Sequence, residues 1–212
     1  MKLLLTSTGI SNQTIANALV TLVGKETSQI KVAVIPTAAN VELGNKSWLI
    51  EENLVSLQKY GIEWIDIVDI SAEGVAWKNR LADVDVVLVG GGNTFHLLNQ
   101  VRKTDFDKWL YANLDTKVYV GVSVGATLVT PSMGITSLHS EDIDYIGLDD
   151  LTGLGFVDFE ISVHTPESVS HEANREYLKT INNDLYALDN KSAIVVDGDH
   201  TEVVSEGEWV KY

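Results

Sequence analysis

Val118-Tyr119-Val120-Gly121-Val122-Ser123-Val124-Gly125-Ala126 is the stretch on which the fold turns. Its first five residues are continuously apolar and do not alternate, as expected for a strand buried on both faces of a sheet. Gly121, Ser123 and Gly125 then fall in the pattern G-x-S-x-G, with a helix expected next. In that setting small residues on either side of the serine allow a tight strand-to-helix turn that lifts its hydroxyl clear of the sheet. The N-terminus of the following helix aims backbone N–H groups at any nearby anion.

Working outward, similar β-branched runs occur at Lys2–Thr6, Ile30–Ile35, Trp64–Ile70 and Val84–Val89. Helical spacing separates them. Asn12–Val23 repeats Ile15, Leu19 and Leu22, Ser47–Tyr60 repeats Ile50, Leu54 and Leu57, and Leu97–Leu114 holds one or two further helices. Alternating strands and helices predict an α/β fold, a mostly parallel sheet with helices on both faces. In the last third, a strand Val157–Val163, a helix Ser168–Ile181 and short strands at Ala193–Val196 and Thr201–Val204 are expected. Glu206-Gly207-Glu208 reads as the turn of a closing hairpin or meander. With no repeat or linker, residues 1–212 are expected to form one domain.

The 212 residues carry 15 basic and 30 acidic side chains, a formal charge of −15, with 45% hydrophobic residues and no cysteine. Such a charge opposes nucleic-acid backbones and anionic lipid, so neither is expected as a partner. The lack of cysteine excludes disulfides, thiolate metal sites and cysteine nucleophiles. Lys2 precedes only Leu3-Leu4-Leu5, too short an apolar core for a signal peptide, which predicts a cytoplasmic protein. No cofactor or metal is implied. Asp197-Gly198-Asp199-His200 reads as a turn rather than a metal site.

In open α/β sheets, ligands bind beyond the carboxyl ends of the strands, which directs attention to Ser123 and to Gly90-Gly91-Gly92-Asn93. A glycine run there leaves N–H groups free and offers half of an oxyanion hole, the N–H of Val124 being the other half. Ser123 needs a base. His164, at the end of a strand, is the candidate and His139 its rival, while His96 and His171 fall on helices. For the orienting acid, Glu141, Asp142 and Asp144 lie between serine and histidine, and spacing selects none of them. Arg175 could clamp a substrate carboxylate; on the residues alone, an ion pair with Glu172 or Glu176 is favoured.

Leu88 to Leu98 (L-V-G-G-G-N-T-F-x-L-L), Tyr119 to Ala126 (Y-V-G-V-S-V-G-A) and a strand ending in His164 together resemble the dipeptidase E family, serine peptidases of the S51 type. The N-terminal M-K-L-L-L-T-S and the I-P-T-A run after the second strand extend the similarity over most of the chain. The resemblance implies a fold like the class I glutamine amidotransferases (flavodoxin-like), with serine in place of their cysteine. It also implies hydrolysis of small peptides after an N-terminal aspartate; the related cyanophycinases cleave an aspartate-based polymer. By position, Ser123 and His164 match the family's nucleophile and base, Gly92 and Val124 its oxyanion hole, and Asn93 and Arg175 substrate-binding residues. Val124 departs from the family's usual alanine. The family's acid belongs near Leu138–His139, where no carboxylate stands, and Asp142 is taken as its replacement. The expected enzyme is a monomer or homodimer acting on a small peptide. Its alternatives are an α/β-hydrolase-type esterase and a non-catalytic small-ligand-binding or regulatory protein.

Overall fold

The computed structural model describes residues 1–138 and 142–212. Its larger sheet has seven strands. They are β1 (Lys2–Thr6), β2 (Lys31–Ile35), β3 (Trp64–Ile67), β4 (Val86–Val89), β5 (Val118–Val122), β8 (Ser192–Asp197) and β9 (His200–Ser205). The order is β3-β2-β4-β5-β1-β8-β9. The first five strands run parallel, and β8 and β9 add to β1 as antiparallel strands. A second sheet joins β6 (Glu160–Ser162), β7 (Leu185–Leu188) and β10 (Trp209–Lys211) in the order β10-β7-β6.

The period of two along a strand sorts the core. Leu3, Leu5, Val87, Val89 and Tyr119 enter one hydrophobic cluster. Leu4, Val32, Val34, Val86, Leu88, Val118 and Val120 enter the cluster on the opposite face. Both faces of the central strands are therefore covered, as their unbroken apolar runs require, and the expected α/β architecture is observed. Among the described residues, no helix is long and apolar enough to cross a membrane.

Four local expectations are corrected. β3 lies at the sheet edge, so Trp64 and Ile67 are 46% and 52% exposed instead of buried on both faces. The helix expected at Ser47–Tyr60 is interrupted by a π-helical segment, Glu51–Val55. The strand expected at Val157–Val163 is regular only over Glu160–Ser162. Finally, the closing hairpin is β8–β9 around Gly198. Glu206-Gly207-Glu208 instead carries the chain from the large sheet to β10 in the small one, because Asp189 Oδ2 accepts the N–H of Glu208 at 2.6 Å.

Parallel register aligns the strand ends that matter. Thr6 pairs with Val122 and Val89 with Gly121, so the segments after β1, β4 and β5 leave the sheet side by side. The helix Val124–Thr127 that follows β5 lies directly on β4. A Cβ on Gly125 would stand 2.1 Å from the Val89 carbonyl oxygen, and one on Gly121 would stand 2.5 Å from that of Gly125. Neither gap admits a methyl group. Gly125→Ala should therefore lower unfolding stability by about 3 kcal/mol or prevent folding, as measured by urea denaturation against an alanine substitution at the exposed Gln58.

Candidate active site

The turn after β5 holds Ser123 at φ 53° and ψ −115°. A non-glycine residue at positive φ is strained, and hydrogen bonds fix it there. Its N–H donates to the Thr6 carbonyl at 2.9 Å, and its own carbonyl accepts from Ala126 at 2.8 Å. Beneath the turn, the fully buried Tyr119 donates its hydroxyl to the Gly125 carbonyl at 2.6 Å. Burial pushes that phenol far above its usual range.

His164 follows β6 and is also at positive φ, 56°. The Ser168 and Val169 N–H groups bind its carbonyl, and its N–H donates to Ser7 Oγ at 3.3 Å. Its Nε2 stands 3.0 Å from Ser123 Oγ. On the other side of the ring, Nδ1 lies 2.7 Å from Asn190 Oδ1. An acceptor at Nδ1 places the ring proton there and leaves Nε2 with a lone pair toward the serine hydroxyl.

Asn190 was not anticipated. It follows β7 (Leu185–Leu188), the position at which a strand end presents residues to a ligand. Thr8 Oγ1 donates to its carbonyl at 2.8 Å, and its N–H meets Glu167 Oε1 at 3.3 Å. Next to it, Asp189 turns the chain by accepting from the Lys191 N–H and Ser192 Oγ. Among the described residues, the group on His164 Nδ1 is thus Asn190 and not the expected Asp142. Asp142 lines the same cavity as Ser123 and His164, but its Oδ2 accepts the Thr94 N–H at the start of the helix Thr94–Lys103, and an amide occupies Nδ1. Asp144 is spent on the N–H groups of Ile146, Gly147 and Leu148. His139 and Glu141 lie outside the described residues.

The glycine run meets the serine closely: a Cβ on Gly91 would come within 3.0 Å of Ser123 Cβ. Gly92, at φ 132°, presses against the Ala38 carbonyl. Gly92 and Val124 both line the cavity with Ser123, and no described residue accepts either N–H. Two further expected residues are absent from the described lining of the cavity. Asn93 is 1% exposed and its side chain is fully engaged. Its Oδ1 caps the helix through His96 N–H, and its Nδ2 holds the Ile143 carbonyl. It positions the glycine loop without facing the cavity. Arg175 is exposed and lies over the ring of Tyr212, 5.9 Å from its centroid. Its expected ion-pair partner Glu176 is held by Lys179.

The serine stands between two cavities, of about 450 Å³ and 240 Å³. Among the described residues lining them there is no lysine or arginine, whereas Glu42, Glu52 and Asp142 all contribute. Burial, reinforced by Glu51, pushes the Glu52 carboxyl up to about 7. Among the described residues, no group of three or more His, Asp or Glu side chains is arranged to hold a metal.

A strained serine between a strand and a helix, with a histidine on its hydroxyl, defines a serine hydrolase. The model of peptidase family S51 matches residues 3–204, and the chain belongs to that family: it is a serine-type peptidase. An uncharacterized peptidase of Listeria monocytogenes is 28% identical over 173 residues, 79% of this chain and 82% of the relative. A peptidase E of Shewanella oneidensis is 31% identical over 88 residues, 41% of this chain and 36% of that one. Among solved structures, a candidate peptidase E from L. monocytogenes superposes with a TM-score of 0.81 at 23% identity, covering 97% of this chain and 98% of that one. A peptidase from an acI-B1 Actinobacterium gives 0.71 at 16% identity, covering 98% and 88%.

Raising a carboxyl pKa above its unfolded value stabilises the fold only while the group stays protonated. That contribution is lost as pH rises from about 4.5 through about 7. Glu52→Gln should therefore raise the melting temperature relative to wild type at pH 8 and have little effect at pH 4.5, read by thermal scans across that range.

Proposed function

We propose that this peptidase cleaves short peptides through an acyl-enzyme formed on Ser123. The observation that carries the reading is the 3.0 Å approach of His164 Nε2 to Ser123 Oγ on the wall of a cavity. Ser123 Oγ attacks the scissile carbonyl as His164 takes its proton. The tetrahedral oxyanion is held by the N–H groups of Gly92 and Val124. His164 then protonates the leaving amine, and a water molecule, deprotonated by the same imidazole, hydrolyses the ester.

Asn190 takes the third place. It selects the ring tautomer, as asparagine does in papain-like Cys-His-Asn sites, but it brings no charge to stabilise the imidazolium. An aspartate preference would need a cation in the cleft. Arg175 lies over Tyr212 and the described lining residues offer none, so the reading adopted is short peptides without an aspartate requirement.

Hydrolysis of a dipeptide panel, followed by amine release, tests this. Wild type should cleave some members, and Ser123→Ala none. A folded wild type that cleaves p-nitrophenyl esters but no peptide would favour the esterase alternative; one that cleaves neither would favour a binding protein. Asn190→Ala should lower kcat at least tenfold with little change in KM, while Asn190→Asp, which keeps an acceptor at Nδ1, should retain turnover. Equal kcat in Asn190→Ala would remove the amide from the mechanism.

A further inference from the structure

The two cavities beside Ser123 differ in charge. Both share Gly92, Ser123, Asp142 and His164. The larger continues along Thr127, Thr136, Leu138, Val163 and Ser168, which carry no charge. The smaller, of about 240 Å³, continues to Glu42, Trp48 and Glu52. A peptide with its scissile bond at Ser123 would extend on one side along the uncharged described residues of the larger cavity and on the other toward Glu42 and Glu52, with Asp142 bordering both.

Glu52 makes the acidic lobe more than a wet surface. Its carboxyl is partly buried, and among the described residues nothing donates a hydrogen bond or forms an ion pair with it. It belongs to the π-helical segment Glu51–Val55, a geometry frequent at functional sites. The backbone there is tied to the loop after β1, since a Cβ on Gly9 would stand 2.3 Å from the Glu52 carbonyl oxygen. Trp48, one turn earlier, presents an aromatic surface to the same space. A carboxylate and an indole facing one cavity suit an alkyl stem ending in a cation. With the chain at −15 overall, the long-range field favours the same sign.

We infer that the acidic lobe receives a positively charged side chain of the substrate, so that peptides with lysine or arginine beside the scissile bond are preferred over neutral ones and aspartyl peptides are disfavoured. This rests on Ser123 being the nucleophile of the preceding section. Binding of the cation needs an ionised Glu52, whose carboxyl burial and Glu51 hold near 7. The groups facing it are Glu51 on its own segment, Glu42, Asp142 and His164.

Calorimetry on the Ser123→Ala protein with Lys-Ala, Ala-Lys, Ala-Ala and Asp-Ala holds the α-ammonium group constant and separates recognition from turnover. At pH 8, one lysine peptide should bind at least tenfold more tightly than Ala-Ala, with Asp-Ala weakest; which lysine peptide wins assigns the lobe to one side of the bond. The preference should shrink at pH 6, where Glu52 takes up a proton. Adding the isosteric Glu52→Gln should remove most of the lysine preference at pH 8 and, with it, most of that pH dependence. Lysine and alanine peptides bound alike, or Asp-Ala bound most tightly, would overturn the inference. The same peptides given to wild type keep the two readings apart. A lysine preference in binding without any hydrolysis removes the peptidase proposal alone, and hydrolysis without a lysine preference removes only the acidic subsite.

Discussion

Everything at the catalytic end of the sheet depends on how closely the turn after β5 lies against β4. Gly125 rests on the Val89 carbonyl with no room for a side chain. That approach lets the chain reverse at Ser123 with a positive φ and begin a helix at once. The Ser123 N–H is bound by Thr6 of β1, so two neighbouring strands hold the serine from opposite sides. A hydroxyl fixed in this way needs no reorganisation to meet a carbonyl, which is the condition under which positioning lowers a barrier most.

The partners of the serine come from the smaller sheet. β6 delivers His164 and β7 delivers Asn190, and the parallel pairing of these two strands sends both residues out at the same end. The two sheets divide the site, with Ser123 and the glycine loop on the large one and His164 and Asn190 on the small one. Bonds between the sheets keep them in register: Ser7 Oγ reaches the Leu188 carbonyl and accepts the His164 N–H, while Thr8 Oγ1 holds the Asn190 carbonyl. The two residues after β1 thus fasten the two sheets together beside the site.

Much of this was legible in the sequence because the signals were local. Continuous apolar runs gave the central strands, and the pattern around Ser123 gave the turn, since both follow from steric rules acting over a few residues. His164 was found by its place after a strand. Features that depend on distant contacts were not found. β7 is only four residues long, and the Asn182-Asn183-Asp184 and Asp189-Asn190 clusters on either side of it read equally well as loop, so Asn190 does not stand out in the sequence and the acid is expected in the 141–144 stretch. The role expected of Arg175 rests on resemblance, and its packing on Tyr212 reflects the pairing of β10 with β7 in a second sheet, which no local pattern shows. Asn93 follows the glycines in sequence, yet its side chain turns inward because the helix start needs a cap more than the cavity needs a ligand. Trp64 and Ile67 show the same limit, since nothing local says whether an apolar strand lies at the centre or the edge.

The amide of Asn190 has an electrical consequence. In a triad ended by a carboxylate, the chain of proton-transferring groups carries a permanent negative charge into the cleft and attracts cations whatever the walls contain. Here the described groups on the His164 ring, the Ser123 hydroxyl and the Asn190 amide, carry no charge of their own, and the carboxylates on the described walls are Glu42, Glu52 and Asp142. In the proposed reaction, selection and chemistry therefore draw on different side chains. A lineage could reverse the sign of the walls and so change its diet without retuning the imidazole.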